Sequence, residues 1–266
     1  MACGLSLAGC AAIARAVPVT VRFSNSDGNP AVSDAGFVAH GLTVRFHLPD
    51  GSDTDLIALS LPVFIAATPQ DFIEVVDALQ PDPETHLPDP ARLGAYIKAH
   101  PRTAASFTAV DVPPPVSYGT VGYRALHAYI WVGPAGQRQA VRYRWEPAAG
   151  VAALTDQEAA ARAPDYLTQE ILERVVSTPV TFTLHVQLAA DGDPTNDSTV
   201  AWPDDRPEIV AGRLVLTAPV EDPEHWNAEG FDPTRTTPGI ELSDDPLLAF
   251  RAKTYAESHR RRSSEH

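Results

Sequence analysis

Cysteine is nearly absent from the 266-residue chain: Cys3 and Cys10 are the only two, seven residues apart. Thiols in that arrangement make neither a disulfide framework nor a zinc pattern, and so low a cysteine content suits a reducing cytoplasm, the compartment we expect. Long apolar runs are missing as well. The longest candidate, residues 56–67, is broken by Ser60 and Pro62, well short of the roughly 20 apolar residues of a membrane span. Leu7-Ala8-Gly9-Cys10 looks like a lipoprotein cleavage site, but no basic residue precedes it and the apolar stretch is too short for a signal peptide. Basic residues are in deficit: 20 Lys+Arg stand against 34 Asp+Glu, a formal net charge of −14. Nucleic acid and anionic membranes are therefore poor default partners, because their phosphates repel such a chain.

Hydrophobic residues reach 44%, enough for a sizeable core, and disordered or fibrous structure is excluded. Proline is the outlier with 25 residues, about twice its usual share of roughly 5%, which implies short elements and long ordered connections. Val17, Val19, Val21 and Phe23 alternate with Thr20, Arg22 and Ser24, and Leu42, Val44, Phe46 and Leu48 alternate with Thr43, Arg45 and His47. Both read as strands with one apolar and one polar face. Residues 127–132 and 138–145 flank Gly133-Pro134-Ala135-Gly136 as a hairpin, and residues 180–188 and 209–217 add further strands. About eight strands in all, mostly antiparallel, favour a barrel or sandwich. Helices are expected after the Thr68-Pro69 cap, with Phe72, Val75, Val76 and Leu79 buried, and after Thr155 with Glu158. A third carries Leu167, Ile171 and Val175, and the last begins at Asp245-Pro246.

Generic catalytic motifs fail. There is no Walker loop, dinucleotide fingerprint or nucleophile elbow, and the nine histidines do not cluster at metal-ligand spacing. The terminal helix stands apart. Arg251, Tyr255 and His259 are spaced i, i+4, i+8, and Arg262 lies near the same face. A neighbouring guanidinium favours a phenolate, the form in which tyrosine binds ferric iron. The alternative on spacing alone is a solvated basic helix end that complements the helix dipole.

Further motifs carry a resemblance. Val21-Arg22-Phe23-Ser24 with Gly28, Gly41 to Phe46, Pro83 to Pro90, Phe231-Asp232-Pro233, Pro238 to Glu241 and Arg251-x-x-x-Tyr255 occur in this order. Together they resemble the catalase superfamily over about residues 17–262, and the stop just after the last helix resembles its small catalase-related peroxidases. The resemblance implies an α+β fold: a catalase-like antiparallel β-barrel of about eight strands with inserted helices and a C-terminal haem-ligand helix. It implies one catalase-core domain over 1–266, with a short N-terminal segment 1–16, barrel and insertions 17–244, ligand helix 245–262 and tail 263–266. The cofactor would be haem b. Tyr255 would be its axial iron ligand, Arg251 would keep that ligand anionic, and Arg22 and Arg262 would bind haem carboxylates. Ser24 would orient a distal histidine. Phe64 and Phe72 would line the haem or its channel, with His127 near the proximal side; ordinary barrel core is the alternative for these three.

The distal side departs from the family. Met1 stands where the family has its proton-shuttling histidine, and Leu59 where it has a distal asparagine. Peroxide heterolysis needs a base and an acid, worth typically 10²–10⁴ in rate, and only a mobile His40, a mobile His47 or water is left to serve. The expected function is a haem-binding oxidoreductase, a weak or organic-peroxide-dependent peroxidase acting on peroxide, a small organic substrate, or both. The alternatives are a haem enzyme repurposed for a small organic substrate and a non-catalytic haem-binding protein. Larger relatives are usually oligomers, which leaves a homo-oligomer open.

Overall fold

The period-two segments fold as strands of one antiparallel sheet. A computed structural model describes residues 16–26, 32–36, 39–80, 82, 89–101, 103, 104, 106 and 113–264. Strands β1 (Val19–Asn25), β2 (His40–His47), β3 (Asp53–Leu59), β4 (Tyr123–Val132), β5 (Arg138–Pro147), β6 (Val180–Leu188) and β7 (Glu208–Leu216) pair in chain order, and the short β8 (Ile240–Leu242) pairs with β4. This curled eight-stranded sheet with inserted helices is the α+β architecture expected. The β4–β5 hairpin closes through Gly133 N–H to the Gln137 carbonyl at 2.8 Å. Gly136 sits there at φ 82°, a conformation that favours a residue without Cβ. Strand β4 begins four residues before the expected His127, because Tyr123 and Ala125 continue the apolar alternation.

Helices with described bounds decorate the sheet: α1 (Pro69–Ala78), α2 (Pro90–Ala99), α3 (Asp156–Ala160), α4 (Tyr166–Ser177), α5 (Pro223–Ala228) and α6 (Pro246–Ser264). Thr68 and Thr155 each form the reciprocal capping box that their sequences promise. One expectation for α1 fails. Val75 is fully buried but Val76 is 39% exposed, and Ala78 takes the buried place, since neighbours on a helix point about 100° apart and only one of two adjacent valines can face the core. Helix α2 was not expected; its Asp89 caps Ala91 N–H at 2.9 Å, followed by Pro90 at the first turn, the same device that opens α1. No helix among the described residues is long and apolar enough to cross a membrane.

Residues paired across strands share a face, which sorts β1–β3 into two chemistries. Phe23, Leu42 and Ala58 pair in register, as do Val21, Val44 and Leu56; these pack into the main core inside the curl. The other face carries Thr20, Arg45 and Asp55 at one end, Arg22, Thr43 and Ile57 in the middle, and Ser24, Gly41 and Leu59 at the other. There Leu59, Phe64, Phe72 and Phe250 join a second apolar cluster with Val75, Tyr96, Leu126 and Leu247. The second cluster thus joins the sheet's outer face to α1, α2 and α6.

Candidate functional site

Helix α6 is placed by Asp245. One of its carboxylate oxygens accepts from Leu247 N–H at 2.9 Å, capping the helix start. The other lies 2.7 Å from His127 Nδ1, so one side chain both starts the helix and ties it to β4. A carboxylate can only accept, so Nδ1 carries the proton and His127 Nε2 presents its lone pair. That lone pair accepts from Arg251 Nη1 at 2.9 Å, and Arg251 Nη2 donates to the Tyr255 oxygen at 2.9 Å. Burial, partly offset by the Asp245 hydrogen bond, holds the His127 imidazole below its ordinary pKa, which keeps Nε2 an acceptor. Asp245 and His127 are 3% exposed and Arg251 is 9% exposed.

Aromatic rings frame this chain of hydrogen bonds. Phe64 stacks on Phe72 with centroids 5.6 Å apart, lies 6.1 Å from the His127 ring, and receives the Arg251 guanidinium 5.3 Å above its face. Phe250 meets Phe72 edge-on at 6.3 Å. Five of the residues singled out from sequence, Tyr255, Arg251, His127, Phe64 and Phe72, therefore come together at the second apolar cluster.

Ser24 and Leu59 lie at the same end of the outer sheet face, on either side of Gly41. A Cβ on Gly41 would come within 2.6 Å of Ser24 Oγ and 3.7 Å of a Leu59 methyl, so glycine leaves the room that the serine hydroxyl occupies. Arg22 lies farther along that face, its guanidinium 4.4 Å from the centre of the Phe231 ring. Met1 lies outside the described residues, as do Gly28 and residues 83–88 of the Pro83–Pro90 loop. Arg262 and His259 fall on α6 with side chains outside the described set.

Neither substitute proton carrier reaches Leu59, which corrects that expectation. His40 pairs with Asn25 and so points to the inner face, where its Nδ1 donates to Asn25 Oδ1 at 2.8 Å and its ring meets Tyr118 edge-on. Its pKa is lowered to about 4 by burial, against an opposing pull from Asp34. His47 shares the outer face but sits at its far end, held by Asp53 Oδ1 and Thr20 Oγ1, each at 2.9 Å.

Sequence reading missed two participants. Asp245 was read only as a helix start, although a carboxylate before a helical proline is also free to accept a second bond. Phe231 was read as part of a motif, with nothing in the local pattern to link it to Arg22. Among the described residues, no group of three His, Cys, Asp or Glu side chains forms a metal site.

The catalase family model matches residues 8–266. A catalase-related peroxidase of Mycolicibacterium paratuberculosis is 37% identical over 245 residues, which cover 91% of this chain and 77% of that protein. One of Synechococcus elongatus is 36% identical over 252 residues, covering 94% and 74%. Among solved structures, a bacterial catalase aligns with a TM-score of 0.82 at 24% identity over 92% of this chain and 50% of its own. A fungal catalase aligns at 0.81, also with 24% identity, over 92% and 52%. The chain spans about half the length of those two catalases. From the family match along nearly its whole length, together with these relatives, the chain belongs to the catalase family.

Proposed function

We propose that the chain is a haem-dependent, peroxidase-type oxidoreductase, one functional unit over residues 1–266, with Tyr255 as the iron ligand. The observation that carries this reading is the unbroken series Asp245, His127, Arg251, Tyr255, which ends on a phenolic oxygen with a guanidinium donor. The residues present suit haem b. A phenolate oxygen is a hard anionic donor for ferric iron, Phe64 and Phe72 offer flat apolar walls, and Arg22 and Arg262 suit its carboxylates.

Each protein group then has a defined task. Asp245 fixes the His127 tautomer, and His127 fixes one arm of the Arg251 fork. The other arm stabilises negative charge on the Tyr255 oxygen through a charge-assisted hydrogen bond. Such a buried polar series is favourable only when every member is satisfied, and here each has its partner. Bound haem supplies the redox chemistry, in which a peroxide and two protons take two electrons from an external reductant to give an alcohol or water plus water.

On the distal side the protein has less to offer. Ser24 retains a hydroxyl, but Leu59 can neither donate nor accept a proton, and it belongs to the apolar cluster. That favours an organic hydroperoxide over hydrogen peroxide, and makes turnover slow. The same apolar surroundings support a second reading, in which a small organic molecule is itself the substrate. Steady-state oxidation of a dye by the haem-loaded protein distinguishes the two. The first reading expects a higher rate with cumene hydroperoxide than with hydrogen peroxide; no peroxide-dependent oxidation, with haem spectral shifts on adding apolar organic molecules, would favour the second.

A further inference from the structure

We propose that Arg142 is a positioning residue for the candidate site, acting on Phe64 through the segment that joins β6 to β7, an inference that rests on the haem-binding reading above. Val141 and Tyr143 belong to the main core, so Arg142 between them projects from the other face of β5. There its guanidinium gathers backbone carbonyls spaced three residues apart. Nη1 donates to Val200 at 2.7 Å, while Nη2 donates to Asp197 at 3.1 Å and reaches Pro194 at 3.4 Å. The guanidinium also lies 4.5 Å from the centre of the Trp202 ring, and Trp202 Nε1 donates to the Pro194 carbonyl at 2.8 Å. A connection with no ladder of its own must find partners for its backbone, and Arg142 supplies them from a single side chain.

Between those carbonyls, the buried Ser198 gives its own to the backbone N–H of Phe64 at 2.8 Å. The Phe64 ring in turn stacks on Phe72, lies beside His127 and receives the Arg251 guanidinium on its face. Holding the loop therefore holds the backbone of the residue on which that wall is built. The start of the loop is clamped separately, by Arg206 donating to both carboxylate oxygens of Asp193 at 2.7 and 2.9 Å. Its middle is left to Arg142. Burial lowers the Arg142 guanidinium to about 10, against the pull of Asp245, Asp197 and Asp193. It is still a cation at neutral pH, so its bonds to the three carbonyls are charge-assisted. Arg142 acts on the site through the loop and Phe64.

The test is a double-mutant cycle on the rate at which the haem-loaded full chain loses haem to excess apomyoglobin. Arg142→Met, which keeps a flexible stem but has no donor, is expected to release haem roughly tenfold faster than wild type. Phe64→Ala is expected to accelerate release as well. Combining the two is expected to be no faster than Phe64→Ala alone, because Arg142 has then lost the residue through which it acts. If far-UV circular dichroism shows Arg142→Met unfolded, the cycle is run with Arg142→Lys, which keeps the charge but not the planar fork. A release rate unchanged by the Arg142 substitution, with only the melting temperature lowered, would make the residue merely structural and overturn its positioning role. Equal acceleration with and without the Phe64 ring would overturn it too, and both results would leave the haem reading standing. A wild-type chain that takes up no haem would overturn both.

Discussion

On the α6 side of the candidate site, Asp245, His127, Arg251 and Tyr255 stand in series, each linked to the next at 2.9 Å or less. On the β3 side, Leu59 lies in an apolar cluster and Gly41 contributes no side chain at all, so that of the three paired positions at that end of the sheet face only Ser24 carries a polar group. The two sides do different work. The first ends on a guanidinium donor to the Tyr255 oxygen and needs every link, because a buried polar group without its partner costs about 1–3 kcal/mol. On the reading proposed above, the second would have to move protons, which needs groups that titrate, and Leu59 is not one. On that reading, the groups that would hold and tune a cofactor and the groups that would move protons are separable parts of one site.

Restoring the missing groups is the sharpest way to break that contrast. Met1→His combined with Leu59→Asn is expected to raise hydrogen-peroxide-dependent dye oxidation by about 10²–10⁴, and an unchanged rate would mean that proton transfer is not what the β3 side lacks. His40 tests whether a hidden base compensates. Its folded-state pKa of about 4 lies below the ordinary 6.5, so the unfolded chain binds more protons between those values. Stability should then be full above pH 6.5 and fall by roughly 3 kcal/mol as the pH drops to about 4. His127, also lowered by burial, adds to the loss in the same direction. Urea titrations at pH 7 and pH 4 should show this loss shrinking in His40→Gln, with peroxide turnover unchanged at pH 7; altered turnover would place His40 in the chemistry.

Smaller effects probe single links. Arg251→Gln shortens the fork that joins His127 to Tyr255, and a loss of about 1–3 kcal/mol in unfolding free energy is expected, together with a shifted ferric spectrum. A spectrum indifferent to that change would mean that another group holds the phenolate. Gly41→Ala sets a methyl 2.6 Å from Ser24 Oγ. Because a serine hydroxyl can rotate aside, the expected cost is only about 1 kcal/mol by thermal melting, with the haem spectrum as the more sensitive readout.

Much of the frame was legible from local signals. Period-two alternation gave β1 and β2 with their polar and apolar faces, and the capping boxes at Thr68 and Thr155 gave two helix starts to the residue. Even the i, i+4 spacing of Arg251 and Tyr255 delivered their hydrogen bond, because one helix turn brings those positions together. What failed depended on the third dimension. Asp245 and His127 are 118 residues apart, and no periodicity links them. Helix α2 opens on Asp89-Pro90, the same kind of cap and first-turn proline that marks α1 at Thr68-Pro69, but its pair closes the proline-rich run from Pro83 to Pro90, where short elements and long connections are the expectation. The misplaced role of His40 was avoidable: it precedes Gly41 on β2, so a strand that aims position 41 at Ser24 must aim position 40 the other way.

The central claim is that Tyr255 binds haem iron as a phenolate. Its most direct test is the visible absorption spectrum of the full chain purified from haem-supplied cells, taken beside that of Tyr255→Phe. A high-spin ferric phenolate spectrum in the wild type that is lost in the variant is the expected result. A wild type without haem, or a variant with the same ferric spectrum, would contradict it.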